Sequence, residues 1–284
     1  MKINNNTKFL IVGLGLMGGS YARALTKNGY TVNAITKDQS SIDFAVNKGI
    51  INYGTTEVVA NLIKESDIII FALYPHILID WLKMYQHLLN KGTILTDVTG
   101  VKTSLINEIN TFLRDDVEFI AAHPMAGREV YGVENSDEKI FKDANYIVVP
   151  TECNSLEAIE LCKQLGEILG FARISVLSPQ KHDEMIAFLS QLTHCIAVCL
   201  MTCNNSENLQ NYTGDSFRDL TRIAVINENM WSELFLMNKE PLLSMMKVFR
   251  EDFDKFMDFI ENDDKESIKQ MMKISTERRK LFNR

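Results

Sequence analysis

One short segment limits what this chain can become. Lys8–Val12 is a run of strand-forming residues, followed at once by Gly13-Leu14-Gly15-Leu16-Met17-Gly18 and then by a helix-forming stretch, Ser20–Asn28, closed by Gly29. A Gly-x-Gly-x-x-Gly string is weak evidence alone; between a strand and a helix it acquires a mechanism. Gly13 permits the tight turn, Gly15 lets the backbone approach a pyrophosphate, and Gly18 lets helix and strand pack closely. The helix N-terminus then offers unpaired N–H groups and a partial positive charge to phosphates. These features predict a βαβ unit that binds a dinucleotide through Gly13, Gly15, Leu16, Met17 and Gly18.

The first ~175 residues continue in kind. Further strands are expected at Thr31–Thr36, Asp67–Ala72, Gly92–Asp97, Val117–Ala122, Asn145–Val149 and Ala172–Val176, the pattern of a parallel α/β sheet. Ile68–Phe71 is continuously apolar, as in a strand covered on both faces. The second strand ends in Thr36-Lys37-Asp38, where a carboxylate ordinarily receives the ribose hydroxyls. A hydroxyl and an ammonium there remove the repulsion against a 2′-phosphate, so the cofactor is NAD or NADP, with NADP accepted and preference open. The competing reading of Lys37 is a solvated surface charge. Ala72 and Leu73 complete the candidate cofactor-binding set.

After Ser178 the strand signals stop. Ser178-Pro179 starts a helix, and Asp183 and Glu184 suit its positive end. At 100° per residue Met185, Leu189, Leu192, Ile196, Cys199 and Cys203 form one apolar stripe of a helix running to about Thr202. Ala187, Val198 and Met201 lie opposite, which predicts burial inside a bundle. Pro241 opens another long helix with Leu242, Met246, Phe249, Phe253, Phe256 and Ile260 on a seam, suited to intrachain core or to contact between copies. A charged helix, Lys265 to about Phe282, ends the chain. The fold class expected is α/β, a Rossmann-like domain over residues 1–177 followed by an all-helical domain over 178–284.

Composition narrows the function. The 284 residues carry 30 Lys+Arg against 37 Asp+Glu, a net charge of -7, which argues against nucleic acid or an anionic membrane as partner. No signal-peptide core follows Met1, and apolar runs such as Ile68–Leu73 are far short of the ~20 residues that span a bilayer. The five cysteines include no Cys-x-x-Cys pair, so buried thiols in a reducing cytoplasm are expected, with no metal site.

Of five histidines, His76 and His87 read as structural or surface groups. His123 follows a strand and precedes Pro124, which keeps it extended at the carboxyl end of a sheet. An imidazole there can take a proton as a hydride leaves. His194 lies opposite the Met185 stripe and either bonds a neighbouring helix or looks into an interdomain cleft. Arg222 is a candidate fork for a substrate carboxylate; the alternative is a surface ion pair with Asp219.

Together GLGLMGGS at 13–20, DVTGVK at 97–102, HPMAGRE at 123–129, HDEMIAFLSQLTH at 182–194 and FRDLTRIA at 217–224, with Trp231 beyond, resemble the prephenate/arogenate dehydrogenase family of tyrosine biosynthesis. The resemblance implies a nucleotide-binding domain joined to a helical domain that forms a homodimer. It implies oxidative decarboxylation of a small dianionic substrate, with His123 taking the hydroxyl proton. His194 and Arg222 match positions that hold the carboxylate-bearing groups, and Glu129 an acidic residue at the pocket entrance. The family often carries a serine where Gly100 stands here; Thr99 then supplies a hydroxyl from a shifted position, or His123 works without one. His194 resembles prephenate-using members, whereas Thr36-Lys37 leans towards NADP-linked arogenate enzymes; prephenate is favoured. A β-hydroxyacid dehydrogenase or imine reductase gives the His-Pro-Met-Ala-Gly segment no role, and a dinucleotide sensor would show no turnover.

Overall fold

Parallel strands need crossover connections, and in the first half of the chain helices supply them. The computed structural model describes residues 2–282, so Met1 and Arg284, the outermost positions of the two expected domains, lie outside the described residues. In chain order come β1 (Lys8–Val12), α1 (Leu16–Lys27), β2 (Thr31–Ile35), α2 (Gln39–Asn47), β3 (Tyr53–Thr55), α3 (Ala60–Lys64), β4 (Ile68–Phe71), α4 (Pro75–Tyr85), β5 (Ile94–Asp97), α5 (Thr103–Ile109) and β6 (Glu118–Phe119). The six strands form one sheet in the order β3-β2-β1-β4-β5-β6, every pair parallel. The order reverses between β1 and β4, the point at which open α/β sheets take ligands. Gly13 follows β1 and Ala72 follows β4, so both flank it. All four residues of β4 are fully buried, and burial of each such large apolar side chain contributes about 1.5–3 kcal/mol.

The expected strand Val117–Ala122 is two strands in two sheets. After β6, β7 (Ala121–Met125) turns away and pairs antiparallel with β8 (Asn145–Val149); α6 (Leu156–Leu169) then leads to β9 (Arg173–Val176), parallel to β8. The backbone shows why. Ile120 N–H still bonds Leu95 O at 2.9 Å, but Ala122 N–H goes to the Asp97 carboxylate at 3.2 Å. A side chain thus takes the place of the ladder and releases β7. This second sheet is mixed, where the strand pattern suggested parallel strands only. His123 accordingly sits within β7 and not in a loop after a strand of the main sheet. β7 is an edge strand, so the missing N–H of Pro124 disturbs no pairing.

Ser178 caps the first helix of the second half, α7 (Pro179–Ile186), accepting Lys181 N–H at 3.2 Å. The run continues as a π-helical turn, Ala187–Leu192, and then as α8 (Thr193–Thr202). A π-turn holds an extra residue and shifts everything after it by about 100°. The single stripe drawn from Met185 is therefore wrong. Met185 and Leu189 are 37% and 42% exposed, whereas Ile186, Ala187, Gln191, Leu192 and Ala197 are buried. Pro179–Thr202 is, among the described residues, the run long and apolar enough to cross a membrane; His182, Asp183 and Gln191 on it are buried, but most of the helix is not, so the burial inside a bundle expected from its two apolar sides is only partial.

α9 (Asp215–Thr221), α10 (Glu228–Met237), α11 (Lys239–Glu261) and α12 (Lys265–Lys280) follow. α11 starts two residues before Pro241, which its first turn tolerates because an N–H there has no intrahelical partner. Beyond residue 200 the buried described residues are Leu234, Asn238 and Leu242. The thiols depart from expectation too: Cys162 is buried, but Cys153, Cys199 and Cys203 are exposed.

Candidate active site

A cleft of about 630 Å3 opens between the two halves, walled by the glycine loop, the ends of β4 and β5, β7 with the segment after it, the π-turn and α10. Of the candidate residues, Gly15, Leu16, Met17, Gly18, Ala72, Leu73, Thr99, His123, Glu129 and His194 stand on its wall. Gly13 is beneath the loop, at φ +96° with Ala72 O only 2.4 Å from where a Cβ would sit. Thr36 and Lys37 lie beyond the wall, at the end of β2. Arg222 stands at the rim, 64% exposed, and its Nη1 pairs with Glu129 Oε1 and not with Asp219.

His123 is aimed by its neighbours. Its Nδ1 lies 2.9 Å from His182 Nε2, and His182 Nδ1 lies 2.8 Å from Asp183 Oδ1. The two Asp183 oxygens also receive Lys102 N–H at 2.9 Å and Thr103 N–H at 2.8 Å, so this carboxylate caps α5 from 80 residues away. Burial, with His182 and Lys102 adding to it, holds His123 well below the usual histidine range. Burial also lowers His182, which Asp183 partly offsets. For Asp183 burial pushes upward, but hydrogen bonds from His182, Thr103 and Lys102 prevail and its carboxyl is lowered.

Behind this row lies a second buried group. Lys102 Nζ meets Asp97 Oδ2 at 2.6 Å with both side chains fully inaccessible. Asp97 also accepts Thr99 N–H at 2.9 Å and the Thr99 hydroxyl. Lys102 Nζ reaches Thr99 Oγ1 at 3.2 Å. The Thr99 proton is thus committed inward, which leaves no hydroxyl donor for a substrate and corrects the expectation for that residue. A Cβ on Gly100 would meet Leu234 at 3.5 Å and His123 at 3.9 Å, so the glycine leaves a small space beside the imidazole.

The π-turn shapes the opposite wall. His194 Nδ1 bonds Ser190 O at 2.9 Å, and its ring stacks on Trp231 with centroids 3.7 Å apart. Gln191 Nε2 donates to Leu234 O at 2.9 Å, and Asn238 ties Gln191 to the backbone of Asp183. At the mouth, His76 bonds Glu233 through N–H and Nδ1 at 2.8 and 2.7 Å, joining the two halves.

Two family descriptions tile the chain: prephenate dehydrogenase, nucleotide-binding domain, over residues 21–175, and prephenate dehydrogenase, dimerization domain, over residues 178–274. The chain belongs to the prephenate dehydrogenase family. It is similar to prephenate dehydrogenase of Bacillus subtilis, 28% identical over 95% of this chain and 74% of that one. The prephenate dehydrogenase of Lactococcus lactis is 31% identical over 87% of this chain and 69% of the relative. The crystal structure of prephenate dehydrogenase from A. aeolicus, in complex with hydroxyphenyl propionate and NAD+, superimposes with a TM-score of 0.90 at 28% identity, covering 98% of each chain. The protein is thus an oxidoreductase with a nucleotide-binding first half.

The loop of this family member fits a dinucleotide. No atom lies within 4 Å of the Cβ position of Gly15, the α1 N-cap, which no side chain caps, so its backbone faces open space. A Cβ on Gly18 would sit 2.0 Å from Gly13 O, so close helix packing requires glycine there. Sequence reasoning missed His182, Asp183, Asp97, Lys102 and the stacking role of Trp231. The first four lie in two of the motifs that carried the resemblance; Asp183 was read only as a helix-dipole residue.

Proposed function

We propose that the chain catalyses NAD(P)-linked oxidative decarboxylation of prephenate to 4-hydroxyphenylpyruvate. The observation that carries this reading is a half-buried His123, held well below the usual histidine range and so neutral, on one wall of the cleft that the glycine loop also lines. A nicotinamide dinucleotide, held by Gly13, Gly15, Leu16, Met17, Gly18, Ala72 and Leu73, supplies the hydride acceptor when bound. His123 accepts the proton of the ring hydroxyl as the hydride leaves the carbon that bears it. The bond from the ring to its carboxylate breaks, CO2 departs, and the bonding pair completes the aromatic ring. Arg222 and His194 hold the anionic groups of the substrate, and Glu129 holds Arg222 at the entrance until an anion competes for it.

For the cofactor we favour acceptance of NADP alongside NAD. The carboxylate nearest the end of β2, Asp38, is taken up by the amides and hydroxyls of Ser40 and Ser41, which lowers its pKa. Thr36 and Lys37 are then left to meet a 2′-phosphate. The division at residues 177 and 178, a homodimer formed through the helical half, and a cytoplasmic setting without nucleic acid or membrane belong to the same proposal.

Purified protein is offered prephenate and arogenate, each with NAD+ and NADP+. Turnover of prephenate that falls at least ~10²-fold in His123→Asn is expected. Turnover of arogenate alone, or an active His123→Asn, would overturn the reading.

A further inference from the structure

We infer that Asp183 and His182 are positioning residues that dictate which nitrogen of His123 carries the lone pair. The inference rests on the reading of His123 as the base, and it adds the group that makes that base usable. Both oxygens of Asp183 receive backbone amide hydrogens, from Lys102 and Thr103. Amides only donate, so the carboxylate is an acceptor at this place, and its lowered pKa keeps it ionised. Its remaining partner, His182 Nδ1 at 2.8 Å, must therefore carry hydrogen. His182 is fully buried and neutral, so its Nε2 is left with the lone pair. That nitrogen faces His123 Nδ1 at 2.9 Å, which must donate to it. In a neutral His123 the lone pair is then on Nε2. Acceptor and donor alternate along three side chains, and the charge at one end fixes the base at the other.

The row is anchored from both halves of the molecule. Asp183 sits over the start of α5 in the first half, while Asn238 at the start of α11 donates to the Asp183 carbonyl at 2.9 Å. Lys102, the other charged group close by, is turned to Asp97 and Thr99 and offers His123 no competing donor.

Nitrogen-15 NMR of the histidine side chains, with His123→Asn to assign the ring, reads the arrangement without reference to turnover. Hydrogen on Nδ1 and a bare Nε2 at neutral pH are expected for His123; hydrogen on Nε2 overturns the inference. In steady-state assays His182→Leu removes the acceptor. It should lower kcat by on the order of 10²–10⁴-fold, the scale of a wrong tautomer in a hydrolytic triad, with KM within about threefold. His182→Gln, whose Oε1 can still accept from Nδ1, should recover about tenfold or more of that loss. Equal loss in both variants, tracking a lowered Tm, marks a merely structural role and overturns the inference, as does an unchanged kcat in His182→Leu. Should the leucine variant not fold, the NMR result and the glutamine variant decide alone. Activity in His123→Asn defeats the base assignment itself; an inactive His123→Asn beside a fully active His182→Leu defeats only the positioning claim.

Discussion

In β4 of the first half four consecutive apolar side chains are fully buried, whereas in α11 of the second half Phe249, Phe253 and Ile260 are 40%, 55% and 55% exposed. Both segments are rich in large apolar residues, yet only the first finds its cover within one chain. Helices on both faces of a parallel sheet complete a core unaided. The helical half also leaves Phe188, Leu220, Val225 and Leu236 each more than half exposed. A contact with a second copy is the cover consistent with a family domain described by dimerization. The first half stores its stability internally; under the proposed homodimer the second would complete it by association.

The contrast can be broken from either side. The largest effect is expected from Lys102→Ala, which strands Asp97 without its cation in a fully buried place. A loss of about 3–5 kcal/mol, independent of protein concentration, should appear in urea unfolding. Next comes the open face: Phe253→Asp with Ile260→Asp should turn the protein into a monomer by sedimentation. The concentration dependence of Tm expected of a dimeric parent should vanish with it. A parent that is already monomeric would remove the contrast altogether.

Acid should act through the cleft that joins the halves. Burial lowers His123, His182 and His194 relative to free histidine. Their folded pKa values lie below the unfolded value near ~6.5, so below that pH the unfolded chain binds protons that the folded chain does not. Stability attributable to these groups is complete above that value and declines as pH falls. Unfolding midpoints measured from pH 8 down to 5 should show loss confined to the acid side, and a flat profile would show that these rings titrate freely. The smallest effect belongs to Gly100→Ser, whose Cβ meets only ordinary contacts. Stability should stay within about 0.5 kcal/mol, and kcat should rise no more than severalfold if the added hydroxyl reaches the imidazole.

The sequence made the glycine loop legible because its chemistry is local: three glycines, a strand before and a helix after. His123 was legible as a residue but not in its place, since the departure of β7 from the main sheet depends on an Asp97 side chain 25 positions away. His182 and Asp183 escaped for a related reason. Ser178, Pro179 and an acidic first turn satisfy a helix start so well that nothing in the string hints at Asp183 capping a different helix. The π-turn was invisible to a period of 3.6 because it changes the period. Arg222 paired with Glu129, 93 positions earlier, and not with the neighbouring Asp219, a choice that only the docking of the two halves can make.

The widened turn at Ala187–Leu192 makes one rod behave as two. Rewinding that turn at ordinary pitch with no residue lost would swing the imidazole at 194 about a quarter of the way around the axis, while the aspartate at 183 kept its seat over α5. With the roles proposed for His194 and for the row ending at His123, recognition and proton handling, though threaded on the same stretch of backbone, could therefore be retuned separately, and a loss of substrate grip need not bring a loss of chemistry.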